Sequence, residues 1–172
     1  MFNDNYRIVG KHATYAKFLN AYTRNLDKEA KVAGIFSIAV ELYLIAPLIG
    51  ASYNRRVPID TESDDSLNVL AEQILKRQKQ FEDVYRIIML SEKSTESSAD
   101  ERVERAFRDD ENPEKMTSNM ELFHDYMRGG IEWLYEQVTE EVNIATATPD
   151  DYLEKIRDIV TLFGDDFELE TQ

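Results

Sequence analysis

The segment from Gly34 to Asp60, GIFSIAVELYLIAPLIGASYNRRVPID, constrains this chain more than any other. Its first half is the most apolar run in an otherwise acidic sequence. A run this apolar has to be buried for the chain to fold in water. Its second half turns abruptly polar at Tyr53-Asn54-Arg55-Arg56 and is closed by Pro58. The arginine pair must therefore find carboxylates of its own chain or an anionic partner. A membrane span is not expected, because Glu41 and Pro47 interrupt the run and leave it short of the roughly 20 apolar residues that a crossing helix needs. The expectation is a buried helix at the centre of a folded domain, with a contact point at its end.

The chain is long enough to enclose a core of that kind, with 172 residues of which 42% are hydrophobic. It has no cysteine, which removes disulfides, thiolate metal sites and cysteine nucleophiles, and fits a reducing compartment. The opening MFNDNYRIVGKH lacks the basic start and apolar core of a secretory leader, so a cytoplasmic protein is expected. The formal net charge of −14 repels phosphate backbones, so direct nucleic-acid binding is not expected. The same charge favours a basic partner.

Apolar residues recur at helical spacing nearly throughout. Tyr15, Phe18, Leu19, Tyr22 and Leu26 mark a first helix. A second is expected from Asp27 through Ile35, Phe36, Ala39, Leu42 and Tyr43 to about Ala46, with a kink or break at Pro47. Asp64, Asp65 and Ser66 read as caps for a third, with Leu67, Leu70, Ala71, Ile74 and Leu75 inward. Phe81, Val84, Tyr85, Ile88 and Met89 make the next stripe. Ser98 with Glu101 forms a capping box ahead of a short helix through Val103, Ala106 and Phe107. Ser118 with Glu121 suggests another, opening a long helix through Met120, Phe123, Met127, Ile131, Leu134, Tyr135 and Val138. Thr148-Pro149-Asp150-Asp151 starts a last helix, with Tyr152, Leu153, Ile156, Ile159, Val160 and Phe163 inward and Gly164 as its end. Only Tyr6–Val9 and Val142–Ala147 read as short extended pieces. The sum is an all-α fold: a single-domain irregular bundle of about six helices over residues 1–172, with 1–12 and 165–172 expected to fray.

Few constellations carry chemistry. Glu121 and His124 form one Glu-x-x-His pair, and Glu41 could add a carboxylate, as in carboxylate-bridged metal bundles. That fold type needs two such pairs, and the other histidine, His12, has no matching motif; no metal or cofactor is expected. Glu41, inside the apolar helix, is expected to be buried and paired with Arg55, Arg56 or Arg86. Gly129-Gly130 falls in mid-helix, where each glycine costs about 1 kcal/mol against alanine. Close helix packing is the default explanation, and a notch for a partner is the functional one. Arg102, Arg105 and Arg108 alternate with Glu101 and Glu104 as a solvated face, or join Arg55 and Arg56 in a basic patch. No phosphate-cradling glycine loop and no exposed serine nucleophile is present.

Three segments carry a resemblance: ELYLIAPLIGASYNRRVPID, FEDVYRIIMLSE and ELFHDYMRGGIEWLYEQV. Together, over roughly Phe36 to Val138, they resemble small accessory proteins of DNA-phosphorothioation (Dnd) systems and related phage-defence islands. The resemblance implies a small non-catalytic helical component working beside an ATPase, nuclease or modification enzyme. It singles out Gly50, Arg55, Arg56, Tyr126, Gly129 and Gly130; the expected partner-binding set is Tyr53, Asn54, Arg55, Arg56, Tyr126, Gly129 and Gly130. Two other classes stay open: an acidic DNA mimic that inhibits a DNA-handling enzyme, and a carboxylate-bridged metal enzyme built on Glu41, Glu121 and His124.

Overall fold

The computed structural model describes residues 1–20, 35–92, 98–140, 142 and 149–168, and of residues 110, 149 and 162–168 the backbone alone. The order of elements is β1 (Tyr6–Val9), α1 (Lys11–Leu19), α2 (Ala39–Ser52), β2 (Ser66–Val69), α3 (Ala71–Leu75), α4 (Gln78–Ser91), α5 (Ala99–Phe107), a 3-10 turn (Asp109–Glu111), α6 (Pro113–Thr139) and α7 (Pro149–Glu168). The domain is mostly helical, with seven helices and one small two-stranded sheet among the described residues. α6 is the central element. α2 lies along it more extensively than any other helix does, while α1, α4 and α7 also pack on it.

α2 starts later than its sequence suggests. Ile38 is the extended cap residue, and Glu41 sits in the first turn, where its carboxylate accepts the Ser37 backbone N–H at 3.2 Å. Asp27, the expected start, lies outside the described residues. Glu41 is not buried: its side chain is about a third exposed and its ionic partner is Arg77, at 3.6 Å, rather than Arg55, Arg56 or Arg86. A carboxylate here complements the positive end of the helix dipole. Nor does Pro47 break the helix. α2 runs through it to Ser52, with Pro47 buried. Packing against α6 on both sides of the proline holds the helix together despite the missing N–H. The exit comes instead at Asn54, in the left-handed region with φ 48°, a conformation asparagine tolerates better than most residues.

Residues 66–69 are a strand, not the start of a helix. β2 pairs antiparallel with β1, Tyr6 opposite Val69 and Ile8 opposite Leu67. The carboxylate expected to cap a helix is occupied elsewhere: Asp65 accepts from Thr14 Oγ1 at 2.8 Å and pairs with Lys17. Its carbonyl accepts the Gly10 N–H. Only the short α3 follows, with Ile74 buried and Leu70 and Leu75 half exposed. The extended reading of Tyr6–Val9 is therefore correct, and the expected fraying of residues 1–12 is not: Phe2, Ile8 and His12 are in the core. Phe2 sits 5.1 Å from Phe81 and 5.4 Å from Phe123, ring to ring. Val142–Ala147 lies almost wholly outside the described residues.

α6 begins earlier than expected. Asn112 caps it, accepting the N–H groups of Glu114 and Lys115 at 3.1 and 3.2 Å, with Pro113 in the first turn. Ser118 lies inside the helix and donates to the Glu114 carbonyl, so the second capping box does not form. The first does: Ser98 and Glu101 bond reciprocally at the start of α5. α7 continues through Gly164 to Glu168, and Leu153 and Val160 face outward.

Candidate functional site

The seven expected partner-binding residues meet at one place, the seam between the C-terminal half of α2 and the middle of α6. The seam exists because three glycines face backbone. A Cβ on Gly130 would lie 2.7 Å from the Ala46 carbonyl carbon and nearer still to its oxygen. One on Gly129 would meet the Arg55 carbonyl in the same way, and one on Gly50 that of Tyr126, at 2.8 Å from its carbonyl carbon. The two backbones are thus as close as chains without side chains permit. Gly129, Gly130 and Tyr126 are buried under α2 and its following loop. The glycine pair is an interlock between helices rather than an open notch.

Two hydrogen bonds fix the loop after α2 to the same stretch of α6. The Val57 N–H donates to the Asp125 carbonyl at 3.1 Å, and Arg128 Nε donates to the Val57 carbonyl at 2.8 Å. Arg55 then reaches along α6. Its guanidinium grips Glu136 with both arms and donates to Glu132 Oε2 at 2.8 Å. Such a fork holds direction as well as charge, and it raises the Arg55 pKa further above its already high value, Glu136 being the largest cause. Glu132 is nearly buried. Besides Arg55 it takes Lys11 Nζ at 2.7 Å and His12 Nε2 at 3.2 Å. Burial pushes the Glu132 carboxyl up, but the bonds from Lys11 and Arg55 outweigh it and leave the group below the usual carboxylate range. His12, fully buried, is pushed down by desolvation against the pull of Glu132, so the imidazole is neutral in the fold. One carboxylate thereby ties α1, the α2 exit loop and α6 together.

Arg56 points the other way. It lies 3.5 Å from Asp125 and 5.9 Å from the centre of the Tyr126 ring. The Tyr126 phenol donates to buried Glu92 at the end of α4. Burial, then that bond, raises its pKa, against the fields of Arg56 and Arg105. This phenol is a fixed donor and not a nucleophile. Arg105 and Arg56 are thus neighbours through Tyr126, while Arg108 pairs with Glu104 at 2.7 Å. Tyr53 stacks on Trp133, centroids 4.5 Å apart.

The metal-site residues do not converge. His124 Nε2 takes the Tyr43 hydroxyl at 2.9 Å, and its ring stacks on Tyr6 at 4.1 Å. Burial, and then Arg128, push its pKa down to about 3. The neutral imidazole is held between Tyr6 and Tyr43, with its Nε2 engaged by the Tyr43 hydroxyl. Glu121 is exposed on α6 and Glu41 faces Arg77. Among the described residues no three histidine, aspartate or glutamate side chains form a metal-holding group. Sequence reasoning missed Lys11, His12, Glu132, Glu136 and Glu92. Part of that set was readable: Gly129, Glu132 and Glu136 are spaced by three and four, on one face of one helix, the face against which an arginine beside the glycines must lie.

The fold and the seam define a helical scaffold in which the conspicuous arginines, glycines and carboxylates bind one another. No helix among the described residues is long and apolar enough to cross a membrane. The chain belongs to the family described as DNA sulphur modification system-associated protein 4, whose family model matches residues 15–158. The three segments compared above fall within that match. No curated protein and no solved structure matches the chain.

Proposed function

We propose that this chain is a non-catalytic accessory subunit of an anti-phage defence assembly built around DNA sulphur modification, and that it works in the cytoplasm by binding a protein partner: an ATPase, a nuclease or a modification enzyme of that system. Membership of a system-associated family carries the reading. The state of the titratable groups supports it. The buried ones are held by neighbours: Glu132 by Lys11 and Arg55, Glu92 by Tyr126, His124 by Tyr43. Each of these three is already engaged, unlike a general acid or base poised for a substrate. Of the residues singled out in the sequence, Tyr53, Asn54 and Arg56 form the edge of the seam that a partner can reach.

The test is co-expression of the tagged chain with each component of the DNA sulphur modification system, followed by isothermal titration of the purified pairs. Stable binding of one component, with no turnover by this chain alone, is expected. Turnover of a small molecule by the isolated chain, abolished by one side-chain change, overturns the reading. Release of the bound component by duplex DNA would mark the chain as a mimic of DNA instead.

A further inference from the structure

The two-stranded sheet has an open side. The Gly10 N–H donates to the Asp65 carbonyl at 2.9 Å, and from there the register places Ile8 opposite Leu67 and Tyr6 opposite Val69. In an antiparallel ladder, pairs that exchange hydrogen bonds alternate with pairs that do not. Tyr6 and Ile8 therefore direct their N–H and C=O groups at β2, while those of Arg7 and Val9 point away from it. Among the described residues these outward groups find no hydrogen-bond partner. The opposite edge is less free, since the Ser66 N–H is taken by Asp65 Oδ1 at 2.8 Å. The side chains alternate likewise: Ile8 and Val69 are buried, Arg7 and Asn68 exposed. β1 thus ends the sheet with two donors and two acceptors, on residues two apart.

Backbone groups at that spacing match one kind of occupant, another extended chain that adds a strand to the edge. The side chain on the edge restricts which chain. Arg7 donates to Ser66 Oγ at 3.0 Å and makes no ion pair among the described residues. A carboxylate beside it on the added strand supplies the countercharge, and opposite charges on neighbouring strands support pairing. The overall charge of −14 acts from further off and is screened beyond about 8 Å in physiological salt, so Arg7 decides the contact itself. A second copy fits less well: two β1 strands side by side put both Arg7 side chains on one face of one ladder, where like charges oppose pairing. We propose that the outer edge of β1 is a docking site for an extended segment of a partner protein, with an aspartate or glutamate that meets Arg7. This rests on the reading of the chain as an accessory subunit and gives it a contact surface outside the seam.

Exchange of single amides in the isolated chain, read by NMR, tests the edge first. The Arg7 and Val9 amides should exchange quickly and those of Ile8 and Leu67 slowly. Equal protection of all four overturns the open edge. Each component of the DNA sulphur modification system is then purified and titrated against the wild-type chain, Val9→Pro, Arg7→Gln and Arg7→Glu. Proline is tolerated on an edge strand where its nitrogen faces outward, so Val9→Pro removes a donor from the edge and leaves the β1–β2 ladder alone. Urea midpoints check that the three variants fold. For a component that binds the wild type, Val9→Pro should weaken binding by about tenfold or more. Arg7→Glu should weaken it more than Arg7→Gln, and the Arg7 and Val9 amides should become slow in the complex. Wild-type affinity of Val9→Pro, with those two amides still fast in the complex, overturns the docking edge and leaves the accessory reading standing. Tighter binding by Arg7→Glu than by Arg7→Gln overturns the acidic contact. A wild-type dimer in sedimentation that Val9→Pro dissociates makes the occupant a second copy and overturns the partner strand. Failure of every component to bind the wild type removes the accessory reading, and the partner strand with it.

Discussion

Replacing Gly130 by alanine tests the interlock at its tightest point. In an open helix the change would stabilise by about 1 kcal/mol, because alanine is the better helix former. Here the added methyl would fall 2.7 Å from the Ala46 carbonyl carbon and 3.0 Å from its Cα. Nonbonded carbons rest about 3.5–4.0 Å apart, so α2 and α6 would have to separate by about 1 Å. The obstacle is backbone, which cannot rotate away as a side chain can. Separation would loosen the packing of Tyr43, Ala46, Tyr126 and Met127, all buried in the core, and weaken the grip of Arg55 on Glu132 and Glu136. Overpacking of a close-fitted core costs about 1–3 kcal/mol, and backbone contact belongs at the upper end. We expect Gly130→Ala to destabilise by about 3 kcal/mol, the sign opposite to its helix propensity. Urea unfolding measures this as a lower midpoint with an unchanged slope. Gly50→Ala should do the same. The double variant should lose less than the two losses combined, since helices parted by one methyl accommodate the second. A neutral or stabilising Gly130→Ala would refute the close approach.

The remaining expectations concern the charges and the exit turn. Glu132→Gln should destabilise by about 2 kcal/mol, because it leaves Lys11 and Arg55 facing a neutral group in a nearly buried site; thermal melts with Arg55→Met as the partner variant should show strong non-additivity. His12 and His124 are both held below their ordinary range by burial. The unfolded chain therefore binds protons near pH 6.5 that the folded chain does not take up, and stability should fall as pH drops from about 6.5 toward 3. His124→Gln should flatten that slope between about pH 6.5 and 5, above the range in which carboxylates titrate, as read by urea midpoints across pH. Asn54→Gly should be tolerated, and Asn54→Val should lose about 1 kcal/mol, since a branched side chain resists φ of 48°. Tyr53→Leu should alter the emission of the single tryptophan, because it removes the ring stacked on Trp133.

What could be read from the sequence was what neighbours along the chain decide. The stripe Phe81, Val84, Tyr85, Ile88, Met89 is a buried helix face because residues three and four apart share a side, and no distant partner is needed to know it. The Ser98–Glu101 box is likewise local. Several of the misreadings depend on partners far away in sequence. Ser66–Val69 is a strand because Tyr6–Val9, some sixty residues earlier, offers a ladder, and because Asp65 is held by Thr14 and Lys17 instead of capping a helix. Pro47 sits inside a helix because α6 supports the chain on both sides of it. Glu41 looked buried because its neighbours are apolar, yet it occupies the first turn and faces Arg77. The residues expected to bind a partner come together at one seam. Their role within the chain depends on Glu132 and His12, 120 residues apart and in hydrogen-bond contact.

Hydrogen exchange of the isolated chain and of its complex with a bound system component tests the central claim most directly: the arginine–glycine seam is internal structure, complete before any partner binds. Amides of α6 from Tyr126 to Glu132, and of α2 from Tyr43 to Gly50, should exchange slowly in both states, opening only with global unfolding. Rapid exchange across the seam in the free chain, becoming slow only in the complex, would contradict it.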